Sequence, residues 1–113
     1  MDKQTNATLP PLLERTLQRL IRSFAPDRII LFGSYAKGTN HAGSDIDLLV
    51  IAELTGDQDF HERRAQQLAA DCFPPVDVIF CSPEEADGAA EAASPFLQSI
   101  LGSGTTLYCR PAP

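Results

Sequence analysis

Two aspartates two residues apart are the part of this sequence best suited to chemistry. Asp45 and Asp47 open an apolar run that continues to Ile51, which predicts a β-strand over 45–51. Because side chains alternate between the faces of a strand, both carboxylates should lie on one face. They would repel each other unless a cation lay between them, and Mg2+ prefers such hard oxygen ligands. An isolated Asp-x-Asp pair more often marks solvated acids where a strand meets a loop.

A glycine-rich loop precedes the two aspartates. Gly33 and Ser34 directly follow the apolar segment 28–32, which predicts a mostly buried strand. Glycine in such a turn lets backbone amides approach a phosphate closely, and the Ser34 hydroxyl can donate to a phosphate oxygen. Lys37 adds a positive charge nearby. Taken alone, a Gly-Ser pair after a strand is more often only a turn.

A third acid, Asp77, lies inside the apolar segment 76–81, which predicts another strand. A buried carboxylate without a partner is costly, so Asp77 should either face a metal ion or stay exposed at a sheet edge. If this strand lies beside the one that carries Asp45 and Asp47, three carboxylates meet at one point.

Helical segments separate these strands. The first predicted helix covers 10–25 with Thr8 as N-cap, and the second covers 57–72 with Phe60 on its apolar face. A third helix is predicted to begin at Ser82-Pro83. A fourth is predicted to begin at Ser94-Pro95 and to end at a C-terminal glycine, Gly102. A last edge strand is predicted over 105–109. Strands that alternate with helices predict an α/β fold, a small mixed β-sheet of about four strands flanked by helices.

The composition is that of one small acidic domain. With 113 residues and 43% hydrophobic content, residues 1–113 are expected to form a single domain, in which 1–8 are polar and loose. The net charge of -6 would repel a polyphosphate backbone, so stable nucleic-acid binding by this chain alone is not expected. The sequence contains no apolar stretch of roughly 20 residues and no secretory signal, which predicts a cytoplasmic protein without a membrane anchor.

The separate motifs combine into one pattern. Gly33-Ser34, ten intervening residues, Asp45-x-Asp47 and the later Asp77 resemble the signature of the DNA polymerase β-like nucleotidyltransferase superfamily. More narrowly, the short length and the form Gly-Ser-Tyr-Ala-Lys-Gly resemble the minimal nucleotidyltransferases, the MntA-type antitoxins that pair with HEPN-domain toxins. This similarity spans residues 9 to 109.

The resemblance implies a nucleotidyltransferase fold with ATP as substrate and two Mg2+ ions. The implied nucleotide-binding residues are Gly33, Ser34, Lys37 and Ser44. The implied catalytic and metal-binding residues are Asp45, Asp47 and Asp77, of which the last is either the general base or only a metal ligand. The implied partner is a helical HEPN ribonuclease toxin, inactivated when AMP is transferred to one of its tyrosine hydroxyls.

Two other functions remain open at this point. A non-catalytic antitoxin could neutralise a toxin by masking it, although the intact acids weigh against this function. A small-molecule nucleotidyltransferase, such as one acting on aminoglycosides, would be expected to carry an additional ligand-binding domain. The chain length leaves no room for one, so we expect a partner protein to supply the acceptor surface.

Overall fold

A mixed four-stranded sheet forms the centre of the molecule. The computed structural model describes residues 10–41, 43–87 and 95–111. The strands are β1 (Arg28–Phe32), β2 (Ile46–Ile51), β3 (Val76–Cys81) and β4 (Thr105–Cys109). Their order is β3-β2-β1-β4, with β1 antiparallel to both β2 and β4, and β2 parallel to β3. The expected small mixed sheet is confirmed.

The outer strand β4 carries an irregularity. Ile29 of β1 pairs with Tyr108, whereas Ile30 pairs with Thr106, so Leu107 is the extra residue of a β-bulge. Beyond the bulge, the pairing continues from Leu31 to Thr105.

Helices lie on both sides of the sheet. Within the described residues they are α1 (Pro11–Phe24), α2 (Ser34–Lys37), α3 (Gln58–Leu68), α4 (Pro83–Asp87) and α5 (Pro95–Ser103). The short α2 was not predicted, because its four residues are too few to show a hydrophobic period. The predicted N-cap of the first helix is wrong, because α1 has Pro10 rather than Thr8 at this position. The predicted cap Ser94 and the expected loose segment 1–8 lie outside the described residues.

The predicted bounds and apolar face of α3 are partly wrong. The helix ends at Leu68 rather than at residue 72, and the chain leaves it through a turn in which the amide of Cys72 donates to the Ala69 carbonyl at 3.0 Å. Phe60 is 54% exposed, whereas Ala65 is fully buried. Five residues along a helix amount to a rotation of about 140°, so these two side chains cannot share one face.

The last helix ends at a different glycine from the predicted one. Gly102 lies inside α5, and Gly104 follows the helix and donates its amide to the Ile100 carbonyl at 2.7 Å. A Cβ on Gly104 would lie 2.9 Å from the Leu31 carbonyl oxygen, so the close approach to β1 requires glycine. By contrast, the predicted start of α4 is confirmed, because Ser82 and Glu85 exchange side-chain bonds to each other's amides at 3.0 and 2.8 Å.

Apolar side chains cover both faces of the sheet. On one face, α1 and α3 pack against alternate residues of β1 and β2; the buried members there include Leu13, Leu17, Leu20, Ile29, Leu31, Ile46, Leu48, Val50 and Ala65. On the other face, α4 and α5 pack against the remaining positions, among them Ile30, Leu49, Ile51, Cys81, Ala86 and Ile100. The central strands therefore read as continuous apolar runs. In the described ranges, no helix is long and apolar enough to cross a membrane.

One buried polar group in α1 has no partner. Thr16 is fully buried, and its hydroxyl oxygen forms no hydrogen bond with any other described residue. Replacing this hydroxyl by a methyl group of the same shape should remove a desolvation cost. We expect Thr16→Val to raise the free energy of unfolding by about 1 kcal/mol, or Tm by about 4 °C, as measured by thermal denaturation. Thr16→Ser, which keeps the hydroxyl and loses the methyl group, should instead lower Tm.

Candidate active site

The register of the sheet brings two of the predicted acids opposite each other. Asp47 on β2 pairs with Asp77 on β3, and on its other side with Phe32 at the end of β1. Phe32 leads directly into Gly33. Asp45 precedes β2 by one residue, so the strand begins slightly later than predicted. All the predicted carboxylates therefore lie at the same end of the sheet as the glycine turn.

Asp47 is packed against Gly33. The backbone of Gly33 has φ 77° and ψ -155°, a conformation that is essentially restricted to glycine. A Cβ at this position would collide with the carboxylate of Asp47. Glycine is therefore required at residue 33 both by the backbone conformation and by the close approach of the acid.

Like charges act on Asp47 from both sides. The pKa of Asp47 is raised above its ordinary value, first by burial and then by the negative charges of Asp77 and Asp45. Asp47 is half-buried, whereas Asp45 and Asp77 are exposed. The three acids thus form one electrostatic cluster with Asp47 at its centre.

The cluster is looser than the sequence led us to expect. Within residues 10–41, 43–87 and 95–111, no three Asp, Glu, His or Cys side chains converge closely enough to form a preformed metal cage. Mutual repulsion favours separation of the carboxylates, and the exposure of Asp45 and Asp77 gives them room to separate.

The donor set nevertheless suits Mg2+. This ion commonly takes one or two protein carboxylates and completes its shell with water and substrate phosphates. Asp47, with either exposed neighbour, offers such a partial shell, and a bound cation would offset both causes of its raised pKa, first the burial and then the repulsion. The residues present therefore fit a metal ion that binds together with a nucleotide.

The predicted nucleotide-binding residues surround the turn after β1. Ser34 is half-buried, and its carbonyl accepts the amide of Thr39 at 3.0 Å. The ammonium group of Lys37 is exposed and forms no hydrogen bond or ion pair within the described part of the chain. The exposed ammonium group of Lys37 is therefore available to an anionic ligand.

Ser44 has a structural role of its own. It is buried, and its hydroxyl accepts the amide of His41 at 2.9 Å, while its own amide donates to the His41 carbonyl at 2.9 Å. These two bonds close the loop that leads into Asp45. The hydroxyl keeps its own hydrogen, which leaves it able to donate.

Gln66 is a site residue that sequence reasoning missed. Its side-chain amide donates to the Val76 carbonyl and accepts from the Val78 amide, both at 3.1 Å. These bonds bracket Asp77 and tie β3 to α3. In the sequence Gln66 looks like an ordinary residue of a polar helix face, and no local signal distinguishes it.

Comparison with known proteins identifies the family. A sequence model of the nucleotidyltransferase domain family matches residues 13–100. The chain belongs to this family. Protein adenylyltransferase MntA of Shewanella oneidensis is 40% identical to this nucleotidyltransferase domain over 70 residues, which are 60% of the chain and 50% of MntA. The chain thus spans about half the length of this curated relative.

Two solved structures share the fold. A chain of a toxin-antitoxin crystallised with AMP-PNP has a TM-score of 0.61 and 30% identity, and the match covers 86% of this chain and 73% of that one. A chain of a mutant form of the MntA-HpeT toxin-antitoxin has a TM-score of 0.59 and 30% identity, with coverages of 86% and 72%. The resemblance and the nucleotidyltransferase fold predicted from the sequence are confirmed.

Two glycines with positive φ offer a matched test of the packing against Asp47. Gly33→Ala should lower the free energy of unfolding by about 2–3 kcal/mol, because it adds a collision to a strained backbone. Gly38→Ala, where φ is 74° and a Cβ meets nothing within 4 Å, should cost only about 1 kcal/mol. Calorimetric titration with ATP and Mg2+ should show weakened binding for Gly33→Ala alone. Equal binding by both variants would contradict the proposed role of this contact.

The repulsion at Asp47 predicts a conflict between stability and function. A carboxyl group whose pKa is raised in the folded protein lowers the free energy of unfolding at neutral pH. This loss of stability disappears below the ordinary pKa of 3.8, because the folded and the unfolded protein both bind the proton there. In EDTA at pH 7, Asp47→Asn should therefore raise Tm by about 2 °C, since solvent screens part of the repulsion. Mg2+ added together with ATP should stabilise the unmodified protein more than the variant. A lower Tm for the variant in EDTA would contradict this electrostatic interpretation.

Proposed function

We propose that this chain is a magnesium-dependent protein adenylyltransferase, a cytoplasmic antitoxin that transfers AMP from ATP to a tyrosine hydroxyl of a helical HEPN-type toxin. The observation that carries the proposal is the position of Asp47, opposite Asp77 and against the turn at Gly33. This arrangement combines carboxylates for a metal with a turn suited to phosphates. The names of its relatives, a protein adenylyltransferase and a toxin-antitoxin crystallised with AMP-PNP, support the same activity.

The nucleotide would lie along the turn after β1. The hydroxyl groups of Ser34 and Ser44 donate to phosphate oxygens, and Lys37 neutralises part of the triphosphate charge. The Asp47 carboxylate fills the space that a side chain at residue 33 would take, and the glycine backbone of the turn can approach a phosphate closely. Together these residues fix the α-phosphorus near the carboxylates, and such positioning supplies much of the rate of a phosphoryl transfer.

The carboxylates would hold the metal and face the acceptor. Asp45, Asp47 and Asp77 would hold Mg2+, which would supply positive charge for the leaving pyrophosphate and for the attacking hydroxyl. The acceptor oxygen forms a bond to the α-phosphorus as the bond to the pyrophosphate oxygen breaks. Asp77 is exposed on an edge strand, where an incoming hydroxyl can reach it. It therefore has the better position of the three for orienting the acceptor or accepting its proton.

The decisive experiment separates AMP transfer from simple masking of the toxin. The purified chain is incubated with Mg2+, labelled ATP and the protein encoded beside it in the genome. The expected result is the mass of AMP added to a tyrosine of that protein. Asp45→Asn should abolish the transfer and the neutralisation while the two proteins still associate.

Asp87→Asn is a matched control, because Asp87 is also exposed but lies in α4, outside the cluster. It should transfer AMP at the rate of the unmodified chain. If Asp45→Asn neutralises the toxin as well as the unmodified chain does, the chain acts by masking and the proposal is wrong.

A further inference from the structure

The outward face of α3 carries an unusual group of side chains. Phe60, Arg63, Arg64 and Gln67 follow one another at spacings of three and four residues, so they share one helix face and line a depression of about 190 Å³. We call these four residues the α3 anchor. Phe60 is 54% exposed, and both arginines are exposed. Exposed aromatic and arginine side chains are the types that concentrate binding energy in protein interfaces.

The two arginines have no partner within the described residues. Neither forms a hydrogen bond or an ion pair there, whereas Arg15, Arg19 and Arg110 are all paired with acids. Arg22 of α1 is also unpaired there, but it has no adjacent arginine. The chain as a whole carries a net charge of -6. Two adjacent unpaired cations on an acidic protein therefore mark a surface complementary to carboxylates, which a guanidinium group can bind with two parallel hydrogen bonds.

A groove connects the α3 anchor with the active site. This second depression, of about 560 Å³, shares Arg63 and Gln67 with the anchor and extends to Asp77, Val78 and Ile79 on β3. The nucleotide-binding turn lies on the opposite side of Asp47 from β3, next to β1. An acceptor that approaches Asp77 from the groove would therefore not compete with ATP for space.

The outer edge of β3 beside Asp77 is not available for pairing with an added strand. Gln66 already binds the Val76 carbonyl and the Val78 amide, which are the groups that an added strand would use. Asp59 and Glu62 line the groove but not the α3 anchor. The negative charges of Asp59 and Glu62 disfavour an acidic side chain of the bound segment within the groove. Such a side chain is more stable beside the arginines of the α3 anchor, so the segment can bind in only one orientation.

We propose that the α3 anchor and the groove form the acceptor-binding surface, which binds a segment of the partner protein with a carboxylate at Arg63 and Arg64 and the acceptor hydroxyl beside Asp77. This proposal rests on the proposed function and adds to it the class of acceptor: a protein segment with an acidic residue near the modified tyrosine. Phe60 covers the apolar part of that segment.

Charge reversal tests the surface. In Arg63→Glu/Arg64→Glu, the KM for the partner protein should rise at least tenfold and its calorimetric affinity should fall by a similar factor. The KM for ATP and the Tm should stay unchanged, because both arginines are exposed and lie apart from the nucleotide turn. The matched control is Arg22→Glu, compared with the single variant Arg64→Glu; it makes the same charge change at an exposed position of α1 that is likewise unpaired among the described residues, and should stay within about twofold of the unmodified chain.

The outcomes separate this proposal from the proposed function. AMP transfer by Arg63→Glu/Arg64→Glu with an unchanged KM for the partner would contradict the proposed acceptor-binding surface but not the proposed activity. An equal loss of partner affinity in the α1 control would do the same. A different result would be that the unmodified chain binds the partner but transfers no AMP, and that Arg63→Glu/Arg64→Glu loses this binding. That result would support the proposed acceptor-binding surface and contradict the proposed adenylyltransferase activity. An unmodified chain that neither binds nor modifies the partner would overturn both.

Discussion

The parallel pairing of β2 with β3 is the constraint on which the site depends. It places Asp47 opposite Asp77, and the antiparallel strand β1 then ends beside Asp47 and delivers Gly33 against it. A slip of one residue in β2 would move Asp47 to the other face of the sheet. That face is filled by α1 and α3 around Ile46 and Leu48, which are both fully buried. The core therefore fixes the register, and the register fixes the site.

The close approach of Asp47, Asp77 and Gly33 lowers the stability of the fold at the site. Three carboxylates lie near one another, and Gly33 holds a backbone conformation that other residues adopt only at a cost. Burial of apolar side chains on both faces of the central strands offsets the electrostatic repulsion and the backbone strain. Strain of this kind is common where a protein binds ligands, and it persists only because the surrounding fold holds the geometry.

Sequence reasoning succeeded where the signal is local. The strands 28–32, 76–81 and 105–109 have the predicted bounds, because apolar runs bounded by glycine or proline leave little choice. The spacing of Asp45 and Asp47 and the turn at Gly33 likewise lie within one short stretch. The end of α3, the choice of Gly104 over Gly102 and the role of Gln66 were missed. Gly104 and Gln66 contact segments distant in the chain, and at the end of α3 the Arg19 guanidinium of α1 donates to the Leu68 carbonyl at 3.1 Å. No local sequence pattern records such contacts.

The bulge at Leu107 has a consequence for how copies of this domain behave together. A regular outer strand offers a straight row of backbone groups on which an identical strand can add, and repeated addition builds a fibril. The extra residue in β4 bends and twists that row, so a second copy cannot continue the sheet in register. Self-propagation is thereby disfavoured on the side of the sheet farthest from the carboxylates.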